Sequence, residues 1–189
     1  MIKLDKRLSA VARLVREGSA VADIGSDHAL LPVYLRQNGW TDIIASDINS
    51  GPLDFARKTL QKYGAEDIKL VLSDGFENIP PRDDVIIAGM GGEQILEIIQ
   101  QRKCGKTRYI LQPMTKHEVL RSGLYRNGFE IISEKAVRDG NKIYIIIHAE
   151  FTGKNREISE DEAFFGFSGD LDYIEKRKEK LNKMRRRKT

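Results

Sequence analysis

The chain has 189 residues, enough for one domain with a substantial core and a small appendage. Its 40% hydrophobic and 32% charged residues are ordinary for a soluble protein, and no apolar run approaches the roughly 20 residues of a membrane span. The one cysteine, Cys104, excludes an internal disulfide; with no metal-ligand spacing visible, no metal is expected and a reducing cytoplasm is the natural setting.

The N-terminal stretch MIKLDKRLSAVARLV spaces Leu4, Leu8, Val11, Leu14 and Val15 as an amphipathic helix does. It lacks the apolar block and cleavage site of a signal peptide. SAVADIG predicts a first strand, residues 29–38 a helix with Pro32 near its first turn, and TDIIASDIN a second strand. GPLDFARKTLQKYG follows as a helix with Pro52 at its start and Gly64 at its end. IKLVLSDG and DDVIIAGMGG predict strands three and four, EQILEIIQQRK a helix, TRYILQPM a fifth strand stopped by Pro113, and KHEVLRSGLYRNG a helix closed by Gly128. His117 in that helix is expected at the surface. FEIISEKAV and NKIYIIIHAEF then flank an Asp139-Gly140 hairpin signal.

Repeated strand–helix units with continuous apolar strands imply a parallel sheet covered on both faces, and the closing hairpin makes the sheet mixed. Residues 152–169 are polar and Gly-containing, with an exposed-looking aromatic cluster at Phe164, Phe165 and Phe167, and read as a linker or lid. DLDYIEKRKEKLNKMRRRKT is a charged helix with a thin apolar stripe of Leu171, Ile174, Leu181 and Met184. The net charge of +4 is uneven: residues 170–189 carry nine Lys or Arg against four acids, a net +5, leaving −1 for the rest. Such a tail suits a polyanion, or is a solvated helix end.

In open α/β sheets ligands sit beyond the carboxyl ends of the strands. Those ends carry Asp23, Gly25, Asp27 and His28, then Asp47, then Asp74-Gly75, then Gly89-Met90-Gly91-Gly92, then Gln112-Pro113-Met114. Gly25 permits the tight turn that brings a ligand to a helix N-terminus. A nicotinamide fingerprint would need further glycines where this chain has Asp27 and Ala29. An aspartate there repels a pyrophosphate. A cationic, phosphate-free donor such as S-adenosylmethionine fits better. Asp47 lies 24 residues after Asp23, near the spacing of about 20 at which an acid holds ribose hydroxyls. Asp74 and Gly75 suit the adenine ring. Each of these aspartates would also serve a turn or a helix cap.

At this point the stretches LDKRL, VADIGSDHALLP, ASDINSGPL, SDG, IAGMGG, LQPM and KIYIII form a specific combination. Over residues 2–150 the chain resembles the bacterial tRNA (adenine-N1)-methyltransferases that modify adenine 22. The resemblance implies a class I, Rossmann-like methyltransferase sheet with a terminal antiparallel hairpin and a short C-terminal helical appendage. It implies a methyltransferase domain at 1–151, and at 152–189 a linker and basic helix where the family carries a longer C-terminal helical domain, as either a truncated or a short variant of it. Its cofactor is S-adenosylmethionine, held by Asp23, Gly25, Ser26, Asp27, His28, Asp47, Ile48, Asn49, Asp74 and Gly75; Asp27 faces either cofactor or substrate. Its substrate is adenine N1 in tRNA, which must be unpaired and turned into the pocket. Gly89, Met90, Gly91 and Gly92 are expected to receive the base, their carbonyls accepting from N6 and Met90 packing on the ring, with Gln112 assisting. A cytoplasmic monomer is expected. Two other readings stay open: a methyltransferase of the same fold with another substrate, and a non-catalytic RNA-binding relative.

Overall fold

A computed structural model describes residues 1–186. Seven strands form one sheet: β1 (Val21–Ile24), β2 (Ile43–Asp47), β3 (Lys69–Leu72), β4 (Asp84–Gly91), β5 (Arg108–Thr115), β6 (Phe129–Asp139) and β7 (Lys142–Phe151). Their spatial order is β3-β2-β1-β4-β5-β7-β6. β1 to β5 pair in parallel, and β7 is inserted antiparallel between β5 and β6. This is the class I methyltransferase topology, and its order reverses between β1 and β4, where such sheets open a crevice.

The buried strands read as the sequence suggested. β1 is buried throughout, as are the first four residues of β2 and of β4. β3, at the sheet edge, is only half-covered, and its first residue, Lys69, is exposed. Helices α1 (Lys6–Ala12), α2 (Leu30–Gln37) and α3 (Ser50–Tyr63) cover one face, packing on Val21, Ile43, Ile86 and Ile110. Helices α4 (Gly92–Gln100) and α5 (His117–Arg126) cover the other, packing on Ile24, Ile87 and Leu111. Asp84 is fully buried at the start of β4, where Arg16 Nε donates to it at 2.7 Å and ties the end of the α1 segment to the sheet.

Four expectations need correction. Pro113 does not stop β5; it lies inside it, because β7 pairs only as far as Leu111 and leaves that side of the strand free. Residues 152–169 contain a helix, α6 (Glu160–Phe165), begun by a capping box between Ser159 and Glu162. Phe164 and Phe165 are half-buried, and the Arg177 guanidinium lies 3.7 Å from the Phe164 ring centre. Within α7 (Leu171–Arg186) the face that packs is Tyr173 and Arg177, whereas Leu171 is 79% exposed. Met184 and the RRRKT end lie outside the residues whose side chains are described. His117 is half-buried, stacked on Tyr173. No described helix is long and apolar enough to cross a membrane.

Candidate functional site

The loop after β1 is held in a shape that side chains resist. Gly25 has φ +73, Asp27 +50 and Ala29 +54, so two non-glycine residues occupy the left-handed region. Each such residue costs on the order of 1 kcal/mol or more and persists only where its surroundings impose it. The Gly25 and Ser26 amides both donate to Ser46 O, at 2.8 and 2.9 Å, which ties the loop to β2. Asp23 is buried, and burial pushes its carboxyl up to about 6, opposed by the Ser26 hydroxyl, which donates to it at 2.7 Å.

Two cavities open along this edge of the sheet. The first, about 320 Å³, lies between α1, the β1 loop and the end of β4, and is lined by Asp23, the Gly25–His28 loop, Gly89 and Met90. The second, about 470 Å³, takes Asp47, Ile48, Asn49, Asp74 and Gly75. All ten residues expected in the cofactor loops line one cavity or the other. Gly25 and Met90 line both. The Met90 side chain packs directly on Gly25: a β-carbon there would lie 1.9 Å from Met90 Cε. The cavities are therefore two halves of one bent cleft, divided by a flexible thioether.

Among the described residues, the second cavity is lined by Asp47, Asp74 and Glu97 and by neither Lys nor Arg. The Asp47 carboxylate is held by the Asn49 amide, which donates to it at 3.0 Å. Such a lining favours hydroxyl and amino donors and opposes phosphate. A phosphate-free adenosyl group fits it.

The GMGG segment divides. Gly89, with φ +84 at a bulge in the β4–β5 pairing, and Met90 face the cavities. Gly91 and Gly92 line neither. Gly92 is buried as the first residue of α4, where a β-carbon would lie 2.3 Å from Lys116 O. It serves the close crossing with the β5 end. Gln112 is fully buried and lines neither cavity: its Oε1 accepts from Arg7 Nη1 at 2.7 Å and its Nε2 donates to Pro113 O at 2.9 Å.

The sequence reading assigned no role to Arg7 or Gln101. Arg7, its side chain 19% exposed, is the one Arg or Lys lining the first cavity among the described residues. LDKRL carried it as a matching stretch without a role. Gln101, just past α4, covers Gly75; its Oε1 would lie 2.2 Å from a β-carbon there and accepts from the Phe76 amide at 2.8 Å. Nothing in its local pattern marks it, since it is placed only by where α4 ends.

Residues 4–147 match the Methyltransferase domain family. The chain is 38% identical over 156 residues to the tRNA (adenine(22)-N(1))-methyltransferase of Bacillus subtilis, a match covering 79% of this chain and 66% of that protein. The chain belongs to this family. The crystal structure of the Bacillus subtilis m1A22 tRNA methyltransferase superposes with a TM-score of 0.83 at 31% identity, covering 98% of this chain and 86% of that one. The Streptococcus pneumoniae protein Sp1610, solved in complex with S-adenosyl-L-methionine, gives 0.85 at 30% identity, covering 97% and 90%. The match thus spans just under two thirds of the curated Bacillus relative.

Proposed function

We propose that this protein methylates N1 of an adenine in tRNA, at position 22, using S-adenosylmethionine. The observation that carries the reading is the bent, two-part cleft, one half acid-lined and, among the described residues, free of lysine and arginine, in a member of this family. S-adenosylmethionine, when bound, supplies an electrophilic methyl group on a sulfonium. Asp47 would hold the ribose hydroxyls, Asp74 the adenine amino group, and the Gly25–His28 loop with Asp23 the methionine end.

Neutral adenine already carries a lone pair at N1, so no side chain need remove a proton before attack. The protein's task is alignment and exclusion of water. The exposed Gly89 backbone offers an acceptor to the base, and Met90 offers an apolar surface beside it. The ring gains positive charge as the methyl arrives, so the Arg7 cation is a poor neighbour for it. Arg7, held by Gln112, serves an anion instead, either the donor's carboxylate or a phosphate of the target nucleotide.

Residues 1–151 act as the methyl-transfer domain and 152–189 as the RNA-contacting appendage, in a cytoplasmic monomer. The test is incubation with S-adenosylmethionine and unfractionated tRNA, followed by mass spectrometry of the nucleosides. The expected product is 1-methyladenosine; a different methylated nucleoside, or none, overturns the reading.

A further inference from the structure

Away from the cleft, one cluster buries a whole ion pair. Arg121 on α5 and Glu134 on β6 form a bidentate pair, Nε to Oε2 at 2.7 Å and Nη2 to Oε1 at 2.8 Å, and both side chains are 0% exposed. The guanidinium also donates to Ala163 O in α6 at 2.7 Å and to the Tyr173 hydroxyl in α7 at 3.1 Å. Glu134 accepts in addition from the Phe167 amide at 3.3 Å. Gly166, with φ +73, turns the chain over this pair, and a β-carbon there would lie 2.3 Å from both partners.

A second cation extends the cluster. Arg177 donates to Phe164 O at 2.9 Å and to Glu118 at 2.7 Å. One buried pair therefore joins α5, β6, α6, the turn at Gly166 and α7. Burying such a pair is weak support for stability, because an apolar pair of similar size does as well; its best-attested use is to fix one geometry among several.

The root of α7 lies at the cavity end of the sheet. β6 runs parallel to β5, since β7 is antiparallel to both. The hairpin tip thus sits on the same edge as the carboxyl ends of β4 and β5. There Asp172 pairs with Arg138, and Lys176 Nζ donates to Asn141 O at 2.9 Å. Beyond that root, residues 178–183 make no hydrogen bond or ion pair to the rest of the chain among the described residues. Lys176, Lys180 and Lys183 follow helical spacing along one exposed stripe.

We propose that the Arg121–Glu134 pair is a positioning device for RNA: it clamps α7 to the cavity end of the sheet, so that the lysines of α7 meet RNA phosphates at a set offset from the methyl-transfer site. The proposal rests on the tRNA reading above and adds which buried residues enforce the geometry. α7 is then a fixed strut, and its lysines contribute affinity only while the clamp holds.

The test uses the full chain carrying R121M/E134L, which removes the pair without leaving a lone buried charge, and Y173F as a milder variant should the first fail to fold. The expected result for R121M/E134L is a KM for tRNA raised about tenfold, the scale of losing a few phosphate contacts. Its S-adenosylmethionine affinity by calorimetry stays unchanged. Y173F gives a smaller rise of the same kind. In a K180Q/K183Q background the clamp substitutions should add little further, because the charges they position are gone. An unchanged KM for tRNA, or effects that simply add in the lysine background, would reduce the pair to a structural role. A wild-type protein that does not methylate tRNA at all would instead bring down the RNA reading, and the clamp with it.

Discussion

The two ends of the chain treat polar groups in opposite ways. In the cleft, Asp27, Ile48, Asn49 and Asp74 are exposed, the loop is held in left-handed backbone, and Asp47 has one backbone partner. Around α5 to α7, a guanidinium and a carboxylate are fully buried and saturated by each other and by neighbours from three further segments. Spare hydrogen-bonding capacity with local strain marks a place that awaits a ligand. Saturated burial marks a place that sets geometry. The contrast predicts that substitutions in the cleft remove cofactor binding without touching stability, and that breaking the buried pair on one side costs stability without touching cofactor binding.

The largest expected effect is in the cleft. Asp47→Ala should weaken S-adenosylmethionine binding by about a hundredfold or more, the scale of two hydrogen bonds to a charged acceptor. The melting temperature should hardly move, since Asp47 gives the fold only the Asn49 amide contact. Calorimetry and thermal melts on the same sample check both halves. Undiminished affinity would remove the ribose assignment.

The cluster should answer in the other sense. Arg121→Met alone leaves Glu134 buried and unpaired, and should destabilise the protein by about 3–5 kcal/mol. Adding Glu134→Leu should recover most of that loss in a denaturant melt. A single substitution no worse than the pair would show that water reaches Glu134, and the distinction between the two regions would blur.

Acid should act on the same cluster through His117. Its ring is stacked on Tyr173, with Nδ1 3.0 Å from the Tyr173 hydroxyl. Burial first, then the nearby Arg121 and Arg177 charges, lower its pKa from 6.5 to about 4. The unfolded chain therefore binds a proton that the native state refuses between those values. Stability from this group is present above about 6.5 and is lost as pH falls toward 4. His117→Gln should flatten that part of the profile of melting temperature against pH.

These contrasts were unequally legible in the sequence. The cleft acids could be read because a strand end in a parallel sheet is a fixed address, and Asp23, Asp47 and Asp74 each sit at one. The Met90 contact on Gly25 could not, because it joins residues 65 positions apart through a side chain whose direction only the β4 bulge decides. The apolar stripe assigned to α7 held only in part, with Ile174 and Leu181 half-buried, and missed the main packing face for a different reason. An amphipathic arginine can pack where its head finds carbonyl and carboxylate partners, so Tyr173 and Arg177 became the buried face while Leu171 did not. α6 was readable in hindsight from Ser159 and Glu162, but a six-residue helix is too short for apolar periodicity to announce it.

The smallest effect tests whether the buried carboxylate of the cleft belongs with the site or with the core. Asp23 titrates near 6 because burial disfavours its charged form, while the Ser26 hydroxyl favours it. A cationic donor binds the ionised form, so its affinity should rise as pH increases through about 6 and level off above. Ser26→Ala removes the one hydrogen bond that lowers this pKa, so the midpoint of that rise should move upward. Binding at pH 8 should change little, because Asp23 is ionised there in both proteins. Calorimetric titrations from pH 5 to 8 on the two proteins decide it. A midpoint that does not respond to Ser26 means that Asp23 senses the bound donor only through the fold, and the boundary between site and core then runs between Asp23 and Gly25.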